Sequence, residues 1–259
     1  MANGGIIGPV VNPTAGKGTA QSVTEFTSGG TYNHPSSAWT AVDVDICAGG
    51  GAGGGQPGGG QRGGMGGGGG AKIETDYSVT PGSAITVTIG SGAQSNGANG
   101  GNSSFGPGLP VSGGGYGSPN IPGNGNPGGA GGGPGRGSIG PTGSGTPGQG
   151  FPSGVSTPGV EAGGGGAGAV GGDGNRSGGV GKETTLTGTP FFLGAGAEGS
   201  SSYGRAGTGQ QGAFDPAVRA GTSGYCAVKP YATAYIASGM WSMNDVYDNV
   251  KSGTWGEDF

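Results

Sequence analysis

Few residues in this chain are of a type that does chemistry, and their spacing limits what each can do. His34 is the single histidine, so a Ser-His-Asp triad or a multi-histidine metal centre would have to rest on it alone. It sits in Tyr32-Asn33-His34-Pro35, a turn-like sequence with no cysteine or acidic residue near it, and a structural role is expected. Asp43 and Asp45 stand two residues apart, which sets two carboxylates on one face of an extended strand. Such a pair could begin an acid–base dyad or a metal site, but no third ligand or histidine falls nearby, and a solvated strand face is expected. Two Gly-Lys pairs invite a phosphate-loop reading. Gly16-Lys17 has Val11 where the first glycine belongs, and Gly181-Lys182 has Arg176 there and Glu183 after the lysine, so neither fits. The acid, base and nucleophile sets that catalysis needs are missing, and the sequence predicts neither an enzyme nor a cofactor or metal site.

The elements that would position these residues are short strands. Ala41-Val42-Asp43-Val44-Asp45-Ile46-Cys47 alternates apolar with polar at period two, the pattern of a half-buried strand, with Trp39 at its start. Residues 71–79 and 84–89 alternate in the same way around Thr80-Pro81-Gly82-Ser83, which predicts a hairpin whose Ile85, Val87 and Ile89 meet Ile73, Tyr77 and Val79. A short strand is expected at 102–106, and a late one at 221–231. If the first and last strands are neighbours, Cys47 and Cys226 come close. In a reducing compartment two buried free thiols are expected, with a disulfide as the alternative.

Between these strands lies glycine. Of 75 glycines in 259 residues, 65 fall between Gly49 and Gly224. At this density a GxGxxG match arises about six times by chance, so such patterns carry no weight without a strand before and a helix after. Ordering a glycine backbone costs about 1–2 kcal/mol per residue and returns no side-chain burial. A folded chain of this composition therefore needs backbone groups that satisfy one another across close-packed segments, as extended polyproline-II-like segments do. Collagen is excluded because the three-residue glycine spacing at Gly137, Gly140 and Gly143 breaks at Gly145. The expected fold is mainly β: a small β-sandwich or jelly-roll-like sheet combined with packed polyglycine-II helices. The glycine runs are interrupted at Leu109-Pro110-Val111, Tyr116–Pro122, Phe151–Val160, Thr184–Leu193 and Phe214–Arg219. These read as loops at the ends of glycine helices. Tyr116, Asn120, Ile121, Phe151, Phe191 and Phe192 in them are candidate binding tips, with the alternative that the aromatics supply a missing core.

Three parts follow: an extended arm over 1–22, a glycine-rich domain over 23–231 and a helical docking tail over 232–259. The arm carries the apolar pairs Ile6-Ile7 and Val10-Val11. In the tail, Met243, Val246, Tyr247 and Val250 follow a helical stripe over about 243–251, Ser242 with Asp245 resembles a capping box, and Gly253 stands at the stop. A helix this short needs a surface for its stripe and for Trp241 and Trp255, either this protein or, in slight preference, a partner. The net charge of −4 opposes a nucleic-acid partner. No run of 18 apolar residues and no signal peptide is seen, which predicts synthesis in a cytoplasm without membrane insertion.

The succession AWTAVDVDICAGGGAGGG, GGGGAKIETDYSVTPGSAITVTIGSGA, GGNSSFG and GTSGYCAVKPY resembles the glycine-rich domain of many bacteriophage tail-fibre and other virion proteins, over most of residues 30–231. The tail SGMWSMNDVYDNVKSGTW is similar to a short terminal module of phage structural proteins, and GGIIGP has the same flavour. In composition the glycine core also resembles the distal adhesins of T-even-like phages, although their N-terminal fibre-attachment domain has no counterpart here. The resemblance implies a non-enzymatic virion protein made in the host cytoplasm. It would be either a tail-fibre or fibre-tip component that binds a host surface receptor, or a capsid or tail decoration protein fastened by its ends. Other virion proteins are the implied partners, and a homotrimer is the implied assembly.

Overall fold

The computed structural model describes residues 14–55, 63–94, 97–119, 123–137, 142–197, 207–209 and 220–236. Among them the chain is mainly β, with no helix. The tail helix expected over 243–251, and with it Trp241, Met243, Val246, Tyr247, Val250 and Trp255, lies outside the described residues, as do Ile6 and Ile7 of the arm.

Alternation is met in β4 (Ala38–Cys47), whose Val42, Val44 and Ile46 are fully buried on one face. It lies between β11 (Tyr225–Ile236) and β5 (Ala71–Ser78), antiparallel to both. On the other edge of β11, β2 (Thr24–Phe26) pairs with its first half and β1 (Thr14–Ala20) with its second. The break between β1 and β2 coincides with Pro230 of β11, which has no N–H to give. Part of the expected arm is thus a strand of the main sheet, and β11 continues five residues past the expected domain end, until Thr14 stands opposite Ile236.

A second antiparallel sheet runs β3 (Gly30–Asn33), β6 (Ala84–Thr88), β7 (Ser103–Phe105) and β8 (Leu109–Val111). Tyr32, Val87, Phe105, Leu109 and Val111 from it meet Val42, Val44, Ile46, Cys226 and Val228 of the first sheet in one apolar cluster. Two expectations are corrected here. Residues 71–79 and 84–89 do not form a hairpin: β5 pairs with β4 while β6 pairs with β3 and β7, so the Thr80–Ser83 turn carries the chain from one sheet to the other. Val79 and Val87 still share the core, with Tyr77, Ile85 and Ile89 packed against it, whereas Ile73 faces the other side of the main sheet. Leu109-Pro110-Val111 is not a loop but edge strand β8, where the proline's missing donor costs no ladder bond.

The other face of the main sheet is covered by a hairpin of β9 (Lys182–Thr184) and β10 (Phe191–Leu193), within a stretch expected to be loop. Leu193, Phe191 and Leu186 pack there on Cys47, Tyr225 and Ala227. Cys226 thus belongs to one cluster and Cys47 to the other. Because Cys47 stands opposite Tyr225 and Cys226 opposite Ile46, neighbouring strands send the two thiols to opposite faces, and both are free. Burial pushes the Cys47 thiol up to about 12 and raises Cys226 as well. Neither thiol is expected to react with a disulfide reagent at neutral pH in the native protein, while both should react once denatured; prompt labelling of the folded protein would contradict this packing.

The glycine-rich segments hydrogen-bond with a period of three. Along 63–70, Gly64, Gly67 and Gly70 donate to Ser118, Gly115 and Ser112 at 2.8, 2.8 and 2.9 Å, while the intervening Gly68 and Gly69 donate to Gly165 and Gly207. The carbonyls of Gly64, Gly67 and Gly70 accept from Gly54, Gly51 and Ala48. A β-strand bonds to two neighbours in one plane, whereas this segment turns its amides to neighbours all round. Only glycine leaves room. A Cβ at Gly64, Gly67 or Gly68 would fall within the van der Waals envelope of the carbonyl of Gly133, Ala130 or Gly194.

Candidate functional site

Four glycine-rich segments meet around a groove of about 320 Å³ lined by Asn99, Asn102, Ser112, Pro127, Ser144 and Thr146, with glycines between them. Asparagine holds the segments in place. The Asn99 Oδ1 accepts from the Tyr116 N–H and from Asn126 Nδ2, each at 3.0 Å, and its Nδ2 donates to the Pro127 carbonyl at 3.1 Å. Asn102 Oδ1 accepts from the Gly113 N–H at 2.9 Å, and Thr146 Oγ1 donates to the Gly128 carbonyl at 3.0 Å. No charged side chain lines the groove.

Two of the expected binding tips have their backbones near it, and neither lines it. Tyr116 is half-buried and tied to the rim through Asn99. Phe151 is 43% exposed and follows Gly150, whose peptide lies against the groove-lining Gly145. Its backbone is fixed in the ladder, donating to Gly166 and accepting from Gly131, both at 3.0 Å. Phe191 and Phe192 are elsewhere, in β10. The Phe191 ring packs edge-on against Tyr225 with centroids 5.5 Å apart, as core filler does. Asn120 and Ile121 lie outside the described residues. Asn99 and Asn102 were not singled out from the sequence. The signal available was a pair of amides framing Gly100-Gly101, the side chains best able to tie one glycine segment to another.

The acidic pair on β4 is not a solvated face. Asp45 is 2% exposed and accepts from the Thr184 hydroxyl, because the β9–β10 hairpin covers it. Asp43 accepts from Lys17, from the Tyr231 hydroxyl and from the Asp76 N–H at 3.0 Å. The last contact exists because β5 bulges opposite Asp43, with Asp76 at φ +55°, which turns its amide inward. Lys17 Nζ lies 2.6 Å from Asp76 Oδ1 and 3.9 Å from the centre of the Tyr231 ring, fastening β1 to β5 and β11. Among the described residues no group of three histidine, cysteine or acidic side chains is set to hold a metal ion.

The two carboxyls respond to burial in opposite directions. Desolvation raises Asp45, and one hydroxyl does not offset it. At Asp43 desolvation also pushes upward, but the hydrogen bonds from Tyr231 and Asp76 and the charge of Lys17 outweigh it and hold the group below the usual carboxylate value. Asp43 therefore contributes stability that is present above its unfolded pKa and is lost as pH falls through the lower folded one. Asp45 contributes the opposite: its ionisation at neutral pH opposes folding. Asp43→Asn is expected to lower the melting temperature at pH 7 and Asp45→Asn to raise it, as read by thermal denaturation; shifts of the same sign would refute this assignment. Desolvation pushes Lys17 downward, but the bond it donates to the Asp76 carboxylate and the charge of Asp43 outweigh it and raise the group. Lys17 and Asp43 thus each favour the charged form, and the pair helps hold β1 to the sheet.

His34 is 2% exposed. Its Nε2 lies 2.8 Å from the Trp39 carbonyl, which can only accept, so Nε2 carries the proton and Nδ1 accepts from the Tyr32 hydroxyl at 3.2 Å. The imidazole is a buried bridge between β3 and β4, as its sequence context suggests.

Stacked antiparallel sheets beside a body of close-packed glycine segments define a mainly β, glycine-rich class of domain. Residues 26–238 match the glycine-rich domain family, and the chain belongs to it. No curated protein matches the sequence.

Proposed function

We propose that this chain is a non-enzymatic bacteriophage virion protein, a tail-fibre or fibre-tip component that binds a host surface receptor through loops on a polyglycine scaffold. One observation carries the reading: a groove opens on a body whose backbone is held by its own amides, with the backbones of two expected binding tips, Tyr116 and Phe151, tied in beside it. The period-three bonding of residues 63–70 supports polyglycine-II helices as the building unit, since that helix has three residues per turn and sends each amide to a different neighbour. The resemblance of residues 30–231 to virion glycine-rich domains supplies the setting, with other virion proteins as partners and a homotrimer as the assembly.

A second reading, a capsid or tail decoration protein without receptor binding, draws on the pairing of Thr14 with Ile236, which puts the start of β1 beside the end of β11. In both readings Ile6, Ile7 and the 243–251 stripe with Trp241 and Trp255 serve as the virion anchor.

The test is adsorption of the purified protein to host cells. Tyr116→Ala and Phe151→Ala are expected to weaken adsorption about tenfold or more without changing assembly. No adsorption by a folded, oligomeric protein would remove the adhesin reading and leave the decoration one. Deletion of residues 242–259 is expected to release the protein from virions under either, and full retention would count against the tail as anchor.

A further inference from the structure

We propose that the groove lined by Asn102, Ser112, Pro127 and Ser144 binds a neutral saccharide, an inference that rests on the receptor-binding reading and names the chemical class of the receptor. The ligand is set by what the groove still has to offer once its internal bonds are made. The N–H groups of Gly100, Ser112, Gly113, Gly128 and Thr146 are all consumed, by Gly114, Gln149, Asn102, Ser144 and Gly129 respectively. A peptide strand would find those five amides taken, and so would an oxyanion, for which the lining supplies no lysine or arginine either. With no carboxylate in the lining, an organic cation or a metal ion finds no counter-charge.

Among the side chains, what remains is the Nδ2 of Asn102, which makes no further bond among the described residues, and the hydroxyls of Ser112 and Ser144. An amide donor and two hydroxyls that both give and accept suit a ligand whose own groups do the same, which is the chemistry of a sugar ring. The ring's C–H faces find an apolar partner at Pro127 in the lining. The volume, about 320 Å³, lies at the small end of ligand sites and admits about one or two sugar rings, so the groove would take the end or a short stretch of a glycan. Asn99, with three hydrogen bonds of its own, is a positioning residue that holds the rim.

The experiment is saturation-transfer NMR on the full-length protein with neutral hexasaccharides of glucose, galactose and mannose as probes, beside a galacturonic acid hexamer and a neutral hexapeptide. Saturation transfer from at least one neutral saccharide, with neither control giving any, is the expected result. Asn102→Asp keeps the oxygen that Gly113 needs but replaces the donor by a charge, and Ser144→Ala removes a hydroxyl. Each is expected to weaken that binding about tenfold at an unchanged melting temperature. Lys229→Ala, outside the groove, is expected to leave it as it is. Transfer from none of the neutral saccharides, transfer that survives both groove variants, or a preference for the acidic sugar or the peptide would overturn the inference. If adsorption to cells still depends on Tyr116 and Phe151 when no saccharide binds, the adhesin reading stands and this inference alone falls.

Discussion

Gly131→Ala is expected to cost more than about 3 kcal/mol and to remove the cooperative thermal transition at ordinary temperatures. The added methyl would fall within the van der Waals envelope of the Gly143 carbonyl oxygen, and neither backbone can give way alone. Gly131 donates to Phe151 at 3.0 Å and accepts from Gly165 at 2.8 Å, so a shift large enough to clear the clash breaks two buried bonds as well. On propensity alone the same change is stabilising, because alanine has less backbone freedom to lose on folding. A matched control separates these effects. At Gly29 the nearest atom to an added Cβ is the Val87 carbonyl oxygen at 3.4 Å, an ordinary contact, and Gly29→Ala is expected to change stability by less than about 0.5 kcal/mol. A near-normal melting temperature for Gly131→Ala would mean that the glycine segments are not packed backbone to backbone.

Phe105→Ala is expected to destabilise by about 3–5 kcal/mol, a large part of the 5–15 typical of a whole domain. Phe105 is fully buried where the two sheets meet, with the rings of Tyr32 and Tyr77 each 5.8 Å away. The glycine body cannot close the resulting cavity, because its segments already touch through their backbones. Phe105→Leu keeps most of the volume and is expected to cost much less, about 1.5 kcal/mol. The shift in denaturant midpoint reads both variants, and equal small shifts would place the stability in the glycine body rather than between the sheets.

What could be read from the sequence was local. The alternation of residues 41–47 marks all but the first three residues of β4, and the short strand expected at 102–106 and the late one at 221–231 overlap β7 and β11. Pairing was not. A turn at Thr80–Ser83 reads alike whether the chain folds back within one sheet or crosses to another, and only the partners of β5 and β6 decide between them. Asp43 and Asp45 show the same limit. Their shared face followed from spacing, but the strand and hairpin that cover it come from residues 14–20 and 182–193, remote in sequence and with little alternation of their own. At the groove, Tyr116 and Phe151 stood out as large side chains among small ones, while Asn99 and Asn102 did not, because what an amide bonds to depends on segments that only the fold brings near.

The antiparallel meeting of Thr14 with Ile236 has a mechanical consequence. Tension applied through both ends of the domain would act at one end of the β1–β11 pair and pull across its bonds, opening them one after another, each worth about 1 kcal/mol. Strands loaded from opposite ends share the force among all their bonds at once. The domain is therefore poorly built to be a link in a stressed shaft and well built to hang from one, carrying its glycine body free of the load.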